Sequence, residues 1–191
     1  GCSAGRTHAL HAVQARLDSD TTPVYLDVER LATTPEQCYR SLLRHVRVAD
    51  DAALPAPASL SSPRHAFDAI LALLTTARAA SGRRFTFLLD EILYLRTFEN
   101  FPGLKALMAE TVAALAASEN RFVLATRFTH RGTRLAANWP RVSLVTLDDA
   151  TAQEDDRASS ALAGLDPLEQ QQTLALTGGR LGYAVLVSEA L

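Results

Sequence analysis

The sequence predicts an α/β fold in which a parallel sheet is covered by helices on both faces. Short apolar runs of strand length alternate with segments whose apolar residues recur at helical spacing. Parallel strands need a long crossover between them, usually a helix, so this alternation is typical of a parallel sheet. One apolar run, Phe85 to Glu91, ends in two adjacent acids. Because open α/β sheets bind ligands beyond the carboxyl ends of their strands, this run predicts a functional site.

The first helix, strand and second helix are predicted from spacing and capping residues. Apolar residues in 8–17 recur at helical spacing, and 23–29 is a β-branched and aromatic run that ends in acids. Thr34 is a good helix start, because Pro35 follows it and Gln37 can bond back to the cap. We expect this second helix to run through Val46.

A proline-, alanine- and serine-rich stretch, 48–62, predicts an exposed loop before the next helix. Ser62 and Pro63 then begin a helix with a continuous apolar face, which we expect Gly82 to close. The acid-bearing strand follows at Arg84. We expect its two acids to emerge at the rim of the sheet, since an unpaired buried carboxylate costs several kcal/mol.

The rest of the chain predicts one more helix, 102–118, two more strands, 121–127 and 141–147, and then helices alone. We place a boundary near residue 150, between a main domain, 1–150, and a helical subdomain, 151–191. The helices expected in this subdomain are 151–163, 167–176 and 180–191.

Composition and charge exclude several classes of protein. Hydrophobic residues make up 48% and charged residues 21% of the 191 residues, which excludes bulk disorder. The net charge of -2 does not indicate nucleic acid as a partner. A protein of this charge would need a local basic patch to bind nucleic acid. Cys2 and Cys38 are too few for a disulfide framework or a zinc site.

We expect a cytoplasmic protein without membrane contact, because no apolar run approaches the roughly 18 to 20 residues of a membrane-spanning helix. No charged-then-apolar signal sequence opens the chain either. The first residue, Gly1, stands in what resembles the middle of a motif, so we expect the chain to be a fragment.

The opening residues have the character of a phosphate-binding loop. Such a loop needs small residues whose backbone N–H groups converge on phosphate, a neighbouring cation, and a hydroxyl for magnesium where the helix starts. Gly5, Arg6 and Thr7 match the last three places, with Ser3, Ala4 and His8 around them. Arginine stands where the pattern has lysine, and its broad planar fork differs from a compact ammonium group. Phosphate binding is therefore better supported than hydrolysis, and an ordinary turn and helix cap is the alternative.

The two acids complete the pattern of a nucleoside triphosphate site. We expect Asp90 to hold magnesium, together with Thr7, and Glu91 to act as the general base for an attacking water. The alternative is that these acids only solvate a loop or cap a helix. Their place, after a phosphate-type loop and an intervening strand, favours the catalytic interpretation. Thr126 and Arg127 end the next strand, and we expect them beside the acids, where a polar residue would sense the γ-phosphate. The alternative is an ordinary strand end that faces solvent.

These motifs together resemble a known family. Gly5-Arg6-Thr7 resembles the end of a Walker A motif, Phe85 to Glu91 a Walker B motif, and Phe122 to Arg127 the sensor-1 strand. The chain is thus similar to P-loop ATPases of the AAA+ and STAND type, in particular to the archaeal-type group of prokaryotic ATP-binding proteins. Residues 174–181 resemble part of the helical lid of that group.

The resemblance implies a three-layer P-loop NTPase with sheet order 5-1-4-3-2, its first strand missing before Gly1, and a small C-terminal helical lid. It implies ATP and Mg²⁺ as cofactors, bound between sheet and lid, with Arg180 at a sensor-2 position. The implied activity is slow ATP hydrolysis that drives a conformational switch, with a protein partner or self-association.

Two other functions stay open. One is a non-hydrolysing, nucleotide-gated interaction module in which Arg6 has replaced the catalytic lysine. The other is a DNA-associated regulator that uses a cluster of arginines at positions 121, 127, 131, 134 and 141.

Overall fold

The computed structural model describes residues 6–17, 19–50, 60–137, 139, 142–145 and 166–177. The chain divides into two compact units. The larger unit comprises Leu10–Leu144, and the smaller comprises Gly1–Ala9 together with Val145–Leu191. The larger unit contains a parallel sheet and most of the described helices, so the fold is α/β, as predicted.

Three parallel strands form the described sheet: β1 (Thr21–Asp27), β2 (Arg84–Asp90) and β3 (Arg121–Leu124). Their order is β1-β2-β3, with β2 in the middle. The register pairs Asp27 with Asp90. The carboxyl ends of the strands therefore meet at one edge, as the sequence predicted.

The first strand begins and ends two residues earlier than the predicted 23–29. It ends at Asp27 because this side chain caps a short helix, α2 (Val28–Leu31), and accepts the N–H of Arg30 at 3.2 Å. Pro23 lies inside the strand, where it donates no hydrogen bond. This is tolerated because β1 is at the edge of the described sheet.

Three longer helices are α1 (Arg6–Arg16), α3 (Pro35–Ala49) and α4 (Pro63–Thr76). The first begins two residues before the predicted 8–17, and the last two begin where the sequence predicted. The caps of the last two are as expected. Thr34 accepts the N–H of Gln37 at 3.3 Å, and Ser62 accepts the N–H of His65 at 3.1 Å. Local capping residues therefore determine these starts.

The end of α4 differs from its prediction. The helix ends at Thr76, and Gly82 lies instead in a turn, with φ +78° and its N–H bonded to the carbonyl of Ala79 at 2.8 Å. The buried side chain of Asn120 bonds to the carbonyls of Leu74 and Ala77 and replaces the helical bonds there.

The segment between β2 and β3 holds a 3₁₀ helix, Ile92–Asn100, and α5 (Leu107–Ala117). The 3₁₀ helix was not predicted, and runs of this length are uncommon. The helix predicted for 102–118 begins later, at Leu107, because Gly103 adopts φ +78° and turns the chain before it.

After β3 the structure departs furthest from the prediction. The strand expected for 121–127 ends at Leu124, and an unpredicted helix, α6 (Thr129–Ala137), follows. The strand expected for 141–147 lies partly outside the described residues. Its described part, 142–145, is exposed and is not a strand.

In the smaller unit the structure describes one whole helix, α7 (Pro167–Thr177), close to the predicted 167–176. The other two helices expected there, 151–163 and 180–191, lie outside the described residues. Within the described ranges, no helix is both long and apolar enough to cross a membrane.

The core of the larger unit lies on the face of the sheet that α3 and α4 cover. Leu26 and Leu89 are paired in register and border the same apolar cavity as Cys38, Leu42 and Ile70 of those helices. Since side chains alternate along a strand, the residues before and after Leu26 and Leu89 face the other way. The site described next lies on that second face.

Candidate functional site

The two acids lie at the carboxyl end of the middle strand, and both are buried. Asp90 is 4% exposed and Glu91 6%. The sequence predicted that they would emerge at the rim, and this was wrong. The position at the strand end was predicted correctly, but the hydrogen-bonding partners that allow burial come from distant parts of the chain.

Asp90 is held by a tyrosine of the neighbouring strand. The hydroxyl of Tyr25 donates to Oδ2 of Asp90 at 3.1 Å. Tyr25 pairs in register with Leu88, so its side chain and that of Asp90 lie on the same face. The ring of His11, on α1, packs against Tyr25 with 4.4 Å between centroids. Sequence reasoning missed Tyr25, whose signal was its place two residues before a strand end.

Glu91 leaves the strand in a left-handed conformation. Its φ is 55° and its ψ 43°, and among the described residues it is the only non-glycine with positive φ. Both carboxylate oxygens accept the backbone N–H of Arg127, at 3.2 and 3.1 Å. The unusual backbone therefore places the carboxylate against the loop that follows β3.

That loop stays close to β2 after β3 ends. The N–H of Ala125 donates to the carbonyl of Leu89 at 2.9 Å, and the carbonyl of Ala125 accepts from Ile92 at 3.1 Å. Thr126 then turns the chain, and its hydroxyl accepts the N–H of Phe128 at 3.2 Å. The predicted neighbours of the acids, Thr126 and Arg127, thus lie in this loop rather than in the strand.

The charge of Arg127 is paired. Its guanidinium lies 3.0 Å from a carboxylate oxygen of Glu29 and donates to the hydroxyl of Tyr94. It also lies over the rings of Tyr94 and Phe128, at 5.1 and 5.5 Å from their centroids. Half-buried among these groups, the side chain fixes the loop whose backbone holds Glu91.

The predicted phosphate-loop residues lie in the smaller unit. Arg6 and Thr7 form the start of α1, with Arg6 half-buried and Thr7 exposed, and His8 continues that helix. The other predicted nucleotide-binding residues lie outside the described part of the chain: Ser3, Ala4, Gly5 and Arg180. Within the larger unit, the structure brings together four of the predicted site residues: Asp90, Glu91, Thr126 and Arg127.

Asp90, in the larger unit, offers a carboxylate, and Thr7, in the smaller unit, offers a hydroxyl. Mg²⁺ is usually held by one or two carboxylates, with waters and substrate phosphates in the other positions, so these oxygen donors fit it in kind. Within the described ranges, no group of three or more His, Cys, Asp or Glu side chains could hold a metal ion.

The arginines predicted as a DNA-binding cluster do not all lie together. Arg121 begins β3 and is paired with Asp20 at 3.3 Å, whereas Arg127 follows the opposite end of that strand. Arg131 and Arg134 lie on α6, and Arg141 is outside the described residues. The described arginines therefore do not form one continuous patch along the strand.

No protein-family model and no curated protein sequence matches the chain.

Proposed function

We propose that this chain is an ATP-binding P-loop domain of the AAA+ or STAND type, in which slow Mg²⁺-dependent ATP hydrolysis drives a conformational switch. One observation carries the proposal: two adjacent acids end the middle strand of a parallel sheet, and the second is turned by its backbone onto the loop after the neighbouring strand. Such a pair can supply one ligand for a metal ion and one base for the attack of water on phosphate.

The order of the described strands supports this proposal. In a sheet of order 5-1-4-3-2, the second, third and fourth strands are neighbours, with the acid-bearing third strand between the other two. The described strand order is β1-β2-β3, with the two acids at the end of β2. This order agrees with the 4-3-2 part of the proposed sheet. The full order and the lid belong to the proposal.

The proposed roles follow from the side chains. Bound Mg²⁺ would neutralise charge on the phosphates, and Asp90 and Thr7 would hold it. Tyr25 orients Asp90 by donating to one carboxylate oxygen. Glu91 would accept a proton from the attacking water, and the N–H of Arg127 fixes the direction of its carboxylate. A shift of the loop at Thr126 and Arg127 would therefore also move the base.

The test is Glu91→Gln in the 191-residue chain. Because the amide has nearly the same shape but cannot take a proton, we expect ATP binding to persist and turnover to fall at least about 100-fold. ATP binding is measured by equilibrium titration with a fluorescent ATP analogue, and turnover is measured by the release of phosphate. Glu36→Gln, a half-buried change at the start of α3, is the matched control. Unchanged turnover in Glu91→Gln would remove Glu91 from the role of base.

The non-hydrolysing module is the second candidate, and Arg6 favours it. Arginine stands at the start of α1, where the resemblance has a lysine that reaches the β- and γ-phosphates. Arg6→Lys separates the two candidates. A large gain in phosphate release would indicate that the natural chain binds nucleotide without appreciable hydrolysis, whereas an unchanged rate would favour the ATPase.

A further inference from the structure

We propose that Glu29 and Gly132 are positioning residues for Glu91, because they hold the loop 125–128 from α2 and from α6. This loop carries the backbone N–H of Arg127, which both carboxylate oxygens of Glu91 accept. The place of the loop therefore decides where the carboxylate points. The inference rests on the proposed role of Glu91 as the base, but the hold on its carboxylate is measurable without ATP.

The backbone fixes only the first residue of this loop to the middle strand. The N–H of Ala125 donates to the carbonyl of Leu89, and the carbonyl of Ala125 accepts from Ile92. The hydroxyl of Thr126 bonds within the loop, to the N–H of Phe128. Beyond Ala125, contacts with α2, the 3₁₀ helix and α6 hold the loop in place.

The contact from α2 is the ion pair of Glu29 with Arg127, 3.0 Å between the guanidinium and a carboxylate oxygen. Glu29 follows β1 and Arg127 follows β3, whereas Glu91 follows β2, the strand between them. The pair thus connects the two outer strands across the end of the middle one. The Arg127 side chain is only 25% exposed, so solvent and salt screen this attraction less than that of a fully exposed pair.

The contact from α6 depends on a residue without a side chain. A methyl group at position 132 would lie 2.9 Å from Cγ2 of Thr126, whereas carbon atoms in contact are about 3.5 to 4.0 Å apart. Thr126 could turn Cγ2 away only by also rotating its hydroxyl, which would give up the N–H of Phe128. Glycine at 132 therefore lets α6 lie directly against the loop.

The first variant is Glu29→Ala in the full chain, which removes the contact from α2. Native-state hydrogen exchange of the Arg127 amide, followed by NMR without nucleotide, should become about three- to fivefold faster, the size expected for a partly exposed ion pair. Turnover of Mg²⁺-ATP should fall by a similar factor. The KM for ATP should stay unchanged, because Glu91 is proposed to act on water rather than to bind nucleotide.

The matched control is Glu119→Ala, which breaks another ion pair of glutamate and arginine. Glu119 pairs with Arg78 at 2.7 Å and precedes β3, so it lies at the opposite end of that strand from Arg127. Exchange at Arg127 and turnover should both stay unchanged. If circular dichroism shows that Glu29→Ala does not fold, Glu29→Gln serves, with a smaller effect expected.

A double-mutant cycle separates positioning from a general loss of stability. The N–H that holds Glu91 belongs to the backbone, so Arg127→Ala retains it and removes only the partner of Glu29. In a chain that carries Arg127→Ala, the further change Glu29→Ala should therefore cost no more turnover. Additive losses would mean that Glu29 does not act through Arg127, and they would overturn its role.

The contact from α6 is tested with Gly132→Ala. Alanine favours the helix by about 1 kcal/mol, yet its methyl group should displace Thr126, speed exchange at Arg127 and lower turnover by about fivefold or more. Thr133→Ala, an exposed change at the next position of α6, is the control and should alter neither quantity.

The outcomes distinguish this proposal from the proposed function. Unchanged exchange at Arg127 in both Glu29→Ala and Gly132→Ala would overturn the positioning role, even if Glu91→Gln abolishes turnover. An unmodified chain that does not hydrolyse ATP would remove the proposed function. The exchange rates would then still decide whether Glu29 and Gly132 hold the loop against Glu91.

Discussion

At the scale of single residues, the backbone of Glu91 is the feature that most distinguishes the site. A left-handed conformation at a non-glycine residue costs about 1 to 3 kcal/mol and persists where the surroundings impose it. Here the surroundings are the N–H of Arg127, which both carboxylate oxygens accept, and the 3₁₀ helix that starts at the next residue. The backbone strain therefore lies at the residue whose side chain is proposed as the base.

This strain gives a prediction about stability. Glu91→Gly and Glu91→Ala both remove the carboxylate, but only glycine adopts φ near +55° without cost. We expect the glycine variant to have a free energy of unfolding about 1 kcal/mol higher than the alanine variant, measured by urea denaturation. At Arg44, in the middle of α3, the same two substitutions should rank the other way, because alanine favours a right-handed helix. Alanine as the better residue at both positions would argue against a left-handed Glu91.

Asp90 illustrates a second residue-scale effect. A buried carboxylate is tolerated where hydrogen bonds replace water, and the Tyr25 hydroxyl provides one such bond from 65 residues away in the chain. The sequence motif identified the acid but not its support, since a tyrosine in a strand is also an ordinary packing residue.

At the scale of secondary structure, Asn120 connects three elements. It lies just before β3, and its amide donates to the carbonyls of Leu74 and Ala77, at 2.8 and 3.2 Å, where α4 ends. Its Oδ1 accepts from the backbone N–H of Phe85, at the start of β2, and from Arg78, both at 3.1 Å. One side chain thus ends a helix and fixes where two strands begin.

Replacing this side chain should therefore be costly. Asn120→Ala leaves buried backbone groups of α4 and β2 without partners, and we expect the free energy of unfolding to fall by about 2 to 4 kcal/mol. Glu119→Ala is the control: the neighbouring Glu119 side chain is 67% exposed, and its ion pair with Arg78 should contribute less than about 1 kcal/mol. Similar losses in the two variants, in urea denaturation, would contradict the role of Asn120.

The elements also differ in how well the sequence predicts them. The starts of α3 and α4 follow from a hydroxyl and a proline next to each other, and both were confirmed. The ends of α4 and β3, the 3₁₀ helix and α6 were not predicted. Each of these depends on partners far along the chain, such as Asn120 for α4 and the Ala125–Leu89 bond for the loop after β3.

At the scale of the larger unit as a whole, the core leaves a small apolar cavity of about 20 Å³ beside Cys38. Burial raises the pKa of the Cys38 thiol from 9.0 to about 12, because the thiolate would lose its hydration. A cysteine so enclosed is a packing residue rather than a reactive one.

The raised pKa predicts how stability depends on pH. Between pH 9 and 12 the unfolded chain loses the Cys38 proton while the folded chain retains it, so stability falls as pH rises through this range. The slope from this group approaches about 1.4 kcal/mol per pH unit. Relative to Cys38→Ala, the unmodified chain should be more stable by a constant amount below about pH 8.5 and lose that advantage above pH 9. Urea denaturation of both proteins under reducing conditions measures the difference. A difference independent of pH would mean that Cys38 ionises in the folded state.

The sequence alone determined the α/β class, the starts of α3 and α4 and the position of Asp90 and Glu91 at a strand end. Each of these depends on neighbours a few residues apart: alternation, caps and an apolar run. Tertiary structure alone decided that the acids are buried, that Tyr25 holds one of them, and that the N–H of Arg127, 36 residues from Glu91, holds the other. These contacts depend on strand register and on a left-handed backbone, which only the packed chain imposes.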